Sequence, residues 1–353
     1  MKKIPTAIMG ATGMVGQNFL KCLRDHPYFE VTTLCASEQS RGQTMKERLI
    51  WADPELERAY GDLVLGGCDA KWIKKQGVEL AFSALPADAA TTVEVGLAKL
   101  GVNVFSNTKS HRMGPHVPLL IPEVNLDHMA AVKDQGTKGF IVTNPNCSTT
   151  GMALALKPIY DAFGLREVHV STYQALSGAG YPGVPSLDIL GNVIPFIDGE
   201  EEKMESEPRK ILGDYKNKKF RFAEFPVVAS CVRVAVKDGH LETVTLKTRK
   251  ECSAEDISQV LSNFKGKINE LKLKLPTAPE IPILVSSGKN RPQPNLDVLA
   301  GSPERARGMA VTVGRIKKVG DWVRIILLSN NVVRGAVGGS VVNAEIAYQQ
   351  KYL

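Results

Sequence analysis

No run of about 18 apolar residues occurs anywhere in this chain, so no segment has the form of a membrane-spanning helix. The opening residues MKKIPTAIMGATGMVG carry two lysines but no apolar stretch long enough for a secretory signal, and the expected location is the cytoplasm. Cysteine is sparse: Cys22, Cys35, Cys68, Cys147, Cys231 and Cys252 are widely spaced, and none forms a C-x-x-C pair. That spacing excludes a zinc knuckle and a disulfide framework and predicts free thiols and no metal site. Aromatic residues make up only 6% of the chain, and no RNA-binding aromatic signature or basic helical region accompanies the net charge of +7. The cations are scattered, and small clusters such as Lys216, Lys218, Lys219 and Arg221 read as solvated loop. Neither nucleic acid nor a membrane is therefore expected as a partner. A mild positive excess instead suits an anionic cofactor and substrate, attracted over a Debye length of about 8 Å. Internal repeats, low-complexity tracts and long linkers are also missing.

What is present is an ordinary globular composition, 43% apolar and 23% charged over 353 residues, a length that favours two domains. Residues 4–10 are a short apolar run ending in glycine, and the next segment places Val15, Phe19, Leu20 and Leu23 at helical spacing. Further strands are predicted at 29–36, 78–85 and 102–106, with a helix at 87–100 between the last two. Alternating strands and helices imply a doubly wound parallel sheet of α/β class. After about residue 145 the pattern becomes β-rich, with strands predicted at 167–176, 227–236, 241–247, 309–316 and 322–328. Asp238-Gly239 and Gly320-Asp321 stand between such runs, as hairpin turns do, so mainly antiparallel pairing in an α+β domain is expected. The division read from the sequence is 1–146 and 147–332, with a C-terminal helical segment, 333–353, returning to the first domain.

Gly10, Gly13 and Gly16 follow the first strand directly and open the first helix. Glycines at a strand-to-helix turn let backbone approach a pyrophosphate, and the helix start supplies unpaired N–H groups with about half a positive charge. A dinucleotide is therefore expected on this turn, with Thr12, Met14 and Val15 beside it. The end of the second strand, Ala36-Ser37-Glu38-Gln39-Ser40-Arg41, offers Ser37 and Arg41 to a 2′-phosphate, while Glu38, one step beyond the strand, is expected to face solvent rather than a free ribose, which favours NADP. Ser83-Ala84-Leu85-Pro86 follows another parallel strand at the same sheet edge, where small residues let a cofactor lie on the backbone.

Thr143-Asn144-Pro145-Asn146-Cys147-Ser148 joins an apolar run to a helical pattern, so Cys147 sits at a helix start. A thiol with an ordinary pKa near 8.5 is only a few per cent ionised at pH 7, and a helix N-terminus or a cation commonly lowers it. Its polar, turn-like flanks separate Cys147 from Cys22, Cys35, Cys68 and Cys252, which read as small buried residues. Thiolate chemistry at a carbonyl calls for a proton shuttle, in practice a histidine. His26, His111, His116, His128 and His169 all have ordinary structural settings. His240 follows the Asp238-Gly239 turn, and a hairpin there would aim both it and Arg233 at one cleft.

Five segments taken together, G-A-T-G-M-V-G, N-P-N-C-S-T, Q-A-L-S-G-A-G-Y-P-G-V-P-S (174–186), C-V-R-V-A-V-K-D-G-H (231–240) and N-V-V-R-G-A-V-G-G (331–339), resemble the aspartate-semialdehyde dehydrogenase family, in its archaeal and fungal-like branch. The resemblance runs from residue 4 to the C-terminus in the family's order. It implies reduction of L-aspartyl-4-phosphate by NADPH to aspartate 4-semialdehyde and phosphate, on the route to lysine, threonine, methionine and isoleucine. It assigns Cys147 as nucleophile, Gln174 to positioning the acyl group and His240 to acid/base work. Arg233 would hold the α-carboxylate, Arg112 and Lys203 the phosphate, and Glu200 the α-amino group. Ser177, Gly178 and Asn331 would lie near the nicotinamide. Gln39 stands where relatives often carry arginine, which leaves Ser37, Ser40 and Arg41 for the 2′-phosphate. The oxyanion of the tetrahedral adduct is expected to use backbone N–H groups at the helix start. A homodimer or homotetramer through the second domain's sheet is implied. Rival readings are a malonyl-CoA reductase, an N-acetyl-γ-glutamyl-phosphate reductase and a non-catalytic dinucleotide sensor.

Overall fold

The computed structural model describes residues 2–353, and their packing separates two compact units. One comprises the residues up to Leu119 with Met129–Asn144 and Ser340–Leu353; the other comprises Leu120–His128 and Pro145–Gly339. The first holds six strands, β1 (Ile4–Met9), β2 (Phe29–Ala36), β3 (Leu65–Gly67), β4 (Leu80–Ser83), β5 (Asn103–Ser106) and β6 (Ile141–Thr143), in the order β3-β2-β1-β4-β5-β6. Every pairing is parallel. Strands covered on both faces need apolar side chains throughout, and Ala7, Ile8 and Met9 are fully buried. The helix Met14–Leu23 buries Phe19, Leu20 and Leu23, and Phe19 stacks on Phe82 of β4 with ring centroids 4.9 Å apart. Near the C-terminus, Glu345 bonds His26 at 2.9 Å with both side chains fully buried, which gives that histidine a structural role.

The division differs from the sequence reading in that residues 120–128 join the second unit, which also runs to Gly339 rather than ending at 332. One interaction accounts for both departures: Arg334 and Glu123, each buried, form a bidentate pair at 2.7 and 2.8 Å. Removing either partner of such a pair strands a charge away from water, at a cost of about 3–5 kcal/mol.

The second unit is built on a mixed sheet of β7 (Leu165–Gln174), β10 (Val227–Arg233), β11 (His240–Thr248), β12 (Ile283–Ser286), β13 (Val311–Val319) and β14 (Trp322–Ser329), ordered β10-β7-β11-β14-β13-β12. The strands β8 (Asp214–Lys216) and β9 (Lys219–Arg221) form a separate ribbon. The Gly320-Asp321 turn closes the β13–β14 hairpin, with Gly320 at φ +56°. The expected Asp238-Gly239 hairpin does not form, because β7 lies between β10 and β11, antiparallel to β11 and parallel to β10. Parallel pairing demands a crossover, and the chain between β7 and β10 supplies it with the helix Glu200–Ile211. That helix also seals the sheet's β10 edge: Glu201 and Glu205 accept the backbone N–H groups of Cys231 and Ala229 at 3.0 and 3.2 Å.

The helix Cys147–Phe163 packs on the inner face of this sheet. Its Gly151 permits a close approach, since a Cβ there would lie 2.6 Å from Ser329 Oγ. Among the described residues, no helix is long and apolar enough to cross a membrane.

Candidate active site

Strand alternation delivers the second unit's polar groups. Burial repeats every second residue along β10, β7 and β11, which turns Arg233, Gln174 and His240 toward the inner face. Arg233 is in register with Gln174, and His240 lies one step beyond the Leu241–Tyr173 pair. The three side chains therefore stand side by side at the ends of adjacent strands.

The helix Cys147–Phe163 begins above them. Cys147 Sγ lies 3.3 Å from His240 Nε2. Asn146 caps the helix with its side-chain oxygen, which accepts the N–H groups of Ser148 and Thr149 at 3.0 and 3.1 Å, while the Thr150 N–H goes to the Asn146 carbonyl at 2.9 Å. A cap of this type contributes about 1 kcal/mol. The cap thereby occupies the Ser148, Thr149 and Thr150 N–H groups, which removes those three from the backbone donors expected to serve an oxyanion. Asn146 is held in turn by the helix Glu200–Ile211: its Nδ2 donates to Glu200 Oε1 at 2.7 Å and its backbone N–H to Glu207 Oε2 at 2.7 Å.

Glu200 is the hub of the cluster. Besides Asn146 it receives Gln174 Nε2 at 3.1 Å and Lys203 Nζ at 2.5 Å. Burial pushes its carboxyl upward, but the Lys203 charge and the two amide donors outweigh that and hold it below the ordinary range. Of the three consecutive glutamates only Glu200 is buried; Glu201 caps β10 and Glu202 is exposed.

His240 is fully buried, and burial followed by the nearby Arg233 charge drives it down to about 3, so the ring is neutral at physiological pH. Its Nδ1 accepts the Ala175 N–H at 3.1 Å. The ring proton therefore resides on Nε2 and points at the sulfur. Arg233 is anchored by Nη1 to the Ala175 carbonyl at 2.7 Å, and among the described residues its other side-chain N–H groups make no hydrogen bond. Both residues depend on Gly178, where a Cβ would sit 2.7 Å from Arg233 Nη1 and 3.0 Å from His240 Nε2. Asn331 bridges Ser177 Oγ (2.8 Å) and the Gly239 N–H (2.8 Å). The adjoining π-helical turn Val333–Val337 lies against Cys147, with a Cβ on Gly335 falling 2.7 Å from Cys147 Cβ.

The first unit carries a separate cradle. Gly10, at φ +80°, and Ala11 donate their N–H groups to the Cys35 carbonyl of β2, at 2.9 Å each. A Cβ on Gly10 would lie 2.7 Å from the Ala84 carbonyl oxygen, and one on Gly16 only 2.1 Å from the Gly10 oxygen. Gly13 caps the following helix without any side-chain bond and is exposed, flanked by half-buried Thr12, buried Met14 and half-buried Val15. These features fit a pyrophosphate on the helix start. Ser37 and Arg41 are exposed, with Arg41 3.3 Å from Glu38; Ser40 is buried, its N–H donating to the Ser37 carbonyl. Ser83 is buried, Leu85 half-buried and Pro86 exposed. Arg112 also belongs to this unit, buried, with Nη2 3.0 Å from the Asn107 carbonyl.

Sequence reasoning missed Asn146 and Glu207. An asparagine directly before a helix is a cap signal and could have flagged the first; a glutamate within a strongly acidic helix carries no such mark. All six cysteines are free, and Cys22 and Cys68 are only half-buried rather than core residues. No metal-binding cluster occurs among the described residues.

Two family models match the chain: the semialdehyde dehydrogenase NAD binding domain over residues 5–132, and the semialdehyde dehydrogenase dimerisation domain over residues 156–334. An aspartate-semialdehyde dehydrogenase of Archaeoglobus fulgidus is 46% identical over 98% of both chains. A malonyl CoA reductase (NADP) of Metallosphaera sedula is 38% identical over 100% of this chain and 99% of its own. The crystal structure of aspartate semialdehyde dehydrogenase with NADP from Candida albicans superposes with a TM-score of 0.87 at 34% identity, covering both chains completely. With a glycine cradle on a doubly wound sheet, a cysteine paired to a buried histidine and relatives matched end to end, this chain belongs to the aspartate-semialdehyde dehydrogenase family.

Proposed function

We propose that this protein reduces L-aspartyl-4-phosphate to L-aspartate 4-semialdehyde and phosphate, with NADPH as the reductant and a thioester on Cys147 as the intermediate. The observation that carries the reading is the 3.3 Å contact between Cys147 Sγ and the Nε2 of a buried, neutral His240. Bound NADPH supplies the hydride. Gly10, Gly13, Gly16 and the first helical turn would hold its pyrophosphate, while Ser37 and Arg41 would meet the 2′-phosphate. Ser83, Leu85 and Pro86 would line its bed in the first unit, and Ser177, Gly178 and Asn331 would contact the nicotinamide.

In the acylation step the Cys147 sulfur bonds the acyl carbon and the carbon–phosphate oxygen bond breaks. The one proton consumed overall leaves with the phosphate. Charge passes from sulfur to the acyl oxygen as the adduct forms, and the His240 Nε2–H follows it as the nearest donor. Hydride addition to the thioester then gives a second oxyanion, which collapses to aldehyde and thiolate. Arg233, with unused guanidinium donors, is suited to a bidentate grip on the α-carboxylate. Glu200 would receive the α-amino group, Gln174 would orient the acyl group, and Lys203 with Arg112 would bind the phosphoryl oxygens. Such orientation can supply several kcal/mol.

The dimerisation model over residues 156–334 supports association between copies of this chain, which we read as a homodimer or homotetramer, with the cytoplasm as the proposed location. Cys147→Ala should abolish turnover and leave NADPH affinity within about twofold, since the cofactor cradle is untouched. Reductase activity surviving in that variant would rule out the covalent route. Malonyl-CoA offered at equal enzyme concentration should turn over far more slowly than aspartyl phosphate, because it presents no α-amino group to Glu200; the opposite ranking would favour the malonyl-CoA reductase reading.

A further inference from the structure

One buried acid has no part in the chemistry above. Glu94, on the helix Ala87–Lys99 of the first unit, has no exposed surface. Its Oε1 accepts the Ser106 hydroxyl at 2.8 Å, and Ser106 Oγ accepts the Thr108 N–H at 3.1 Å and lies 3.1 Å from Thr108 Oγ1. Its Oε2 makes no hydrogen bond and faces His111 Nε2 at 3.6 Å, an equally unpartnered atom. Through its other ring nitrogen His111 bonds the Ala90 backbone. The polar groups facing Glu94 are thus the hydroxyls of Ser83 and Ser106 and the ring of His111; apart from that ring, no cation of the described residues lies within ion-pair distance.

Burial pushes the Glu94 carboxyl up to about 7, against the pull of the serine hydroxyls, and pushes His111 down. Below neutrality Glu94 is therefore protonated, with Oε2 facing the ring of His111. Ser106, Thr108 and His111 bracket the segment that ends in Arg112, whose Nη2 donates to the Asn107 carbonyl while Asn107 Oδ1 lies 3.1 Å from Ser340 Oγ. Glu94 consequently meets this segment near both ends, by a hydrogen bond to Ser106 and by the 3.6 Å approach to His111.

We propose that Glu94 is a positioning residue for phosphate recognition: bonded to Ser106 through one oxygen and packed against His111 with the other, it fixes residues 107–112 so that Arg112 is set to receive the phosphoryl group. The proposal rests on the reading of Arg112 as a phosphate-binding cation. Glutamine mimics the protonated acid, with an oxygen for Ser106 and an N–H for His111, whereas leucine can do neither.

The test is KM for inorganic phosphate in the reverse, oxidative direction between pH 6 and 8, comparing variants at equal pH so that phosphate's own titration cancels. At pH 6, Glu94→Leu should raise KM about tenfold with kcat within about twofold, and Glu94→Gln should match the wild type. As pH rises through 7 the wild-type enzyme loses the Glu94 proton and its KM should climb above that of Glu94→Gln. Superimposable profiles for the wild type and Glu94→Gln would overturn the proposal, and so would a Glu94→Leu enzyme with unchanged KM. Arg112→Gln separates the two layers: an unchanged KM there removes the premise, whereas a raised KM beside an unaffected Glu94→Leu removes only the role of Glu94.

Discussion

The two compact units solve the problem of holding reactants in opposite ways. The first makes its cradle by leaving side chains out: at Gly10 and Gly16 the backbone itself would collide with any Cβ. The second gathers charged and amide side chains, Glu200, Lys203, Arg233, Asn146 and Gln174, into a wired cluster around a thiol and an imidazole. A pyrophosphate can be met by backbone N–H groups, which are identical at every residue, so steric access is the main requirement. Distinguishing an amino acid's ammonium and carboxylate demands fixed charges of opposite sign, and each buried charge requires partners to remain ionised.

Gly178 sharpens this comparison, because it is where the second unit adopts the first unit's device. The largest effect is expected from Gly16→Ala: with backbone atoms at 2.1 and 2.7 Å from the new Cβ, neither helix nor strand can yield cheaply. A drop in stability of several kcal/mol, read by urea unfolding, is expected together with loss of dinucleotide binding. Gly178→Ala should instead keep the fold, since Gly178 is exposed and the atoms it crowds are side-chain tips. Its kcat/KM for aspartyl phosphate should fall about a hundredfold as Arg233 and His240 are displaced. If the two glycine variants lost stability equally, the contrast between the units would collapse.

The last prediction is a slope. His240 titrates near 3 when folded, against an unfolded value near 6.5. Between those values the unfolded chain binds a proton that the native protein does not, so stability falls as pH drops through that window, by at most about 1.4 kcal/mol per pH unit. His240→Asn should remove this slope, and the difference between the two proteins in urea unfolding at pH 4 to 7 measures it. A parallel pair of curves would mean that the ring is protonated in the folded state.

The same contrast explains what could be read in advance. The first unit was legible because strands and helices alternate along the chain and its cradle is one continuous segment, Gly10 to Gly16. Cys147 was legible from its polar turn, and Arg233 and His240 were singled out on a hairpin that does not exist. Their convergence comes from period-two alternation and from the pairing of each with β7, so a local turn was mistaken for what long-range register achieves. The Asp238-Gly239 pair still needs a positive φ, with Gly239 at +96°, but the chain passes the end of β7 and enters β11 on its far side rather than returning beside β10. Of the expected oxyanion donors, the N–H groups of Ser148, Thr149 and Thr150 are taken up by the Asn146 cap, which a count of helix-start N–H groups alone does not reveal. Glu94 gave no signal, since one glutamate within a helical run looks the same in sequence whether it faces water or a serine.

Glu201 and Glu205 have one last implication. Strand borders are where β proteins most readily recruit further chains, natively or as fibrils, because unpaired amides template the next strand. Here the carboxylates occupy two of those amides on β10, so a newcomer would have to displace ionic acceptors before it could zip on. Self-association at that border is chemically discouraged, and any partnership between copies of this chain is steered toward broad surfaces elsewhere.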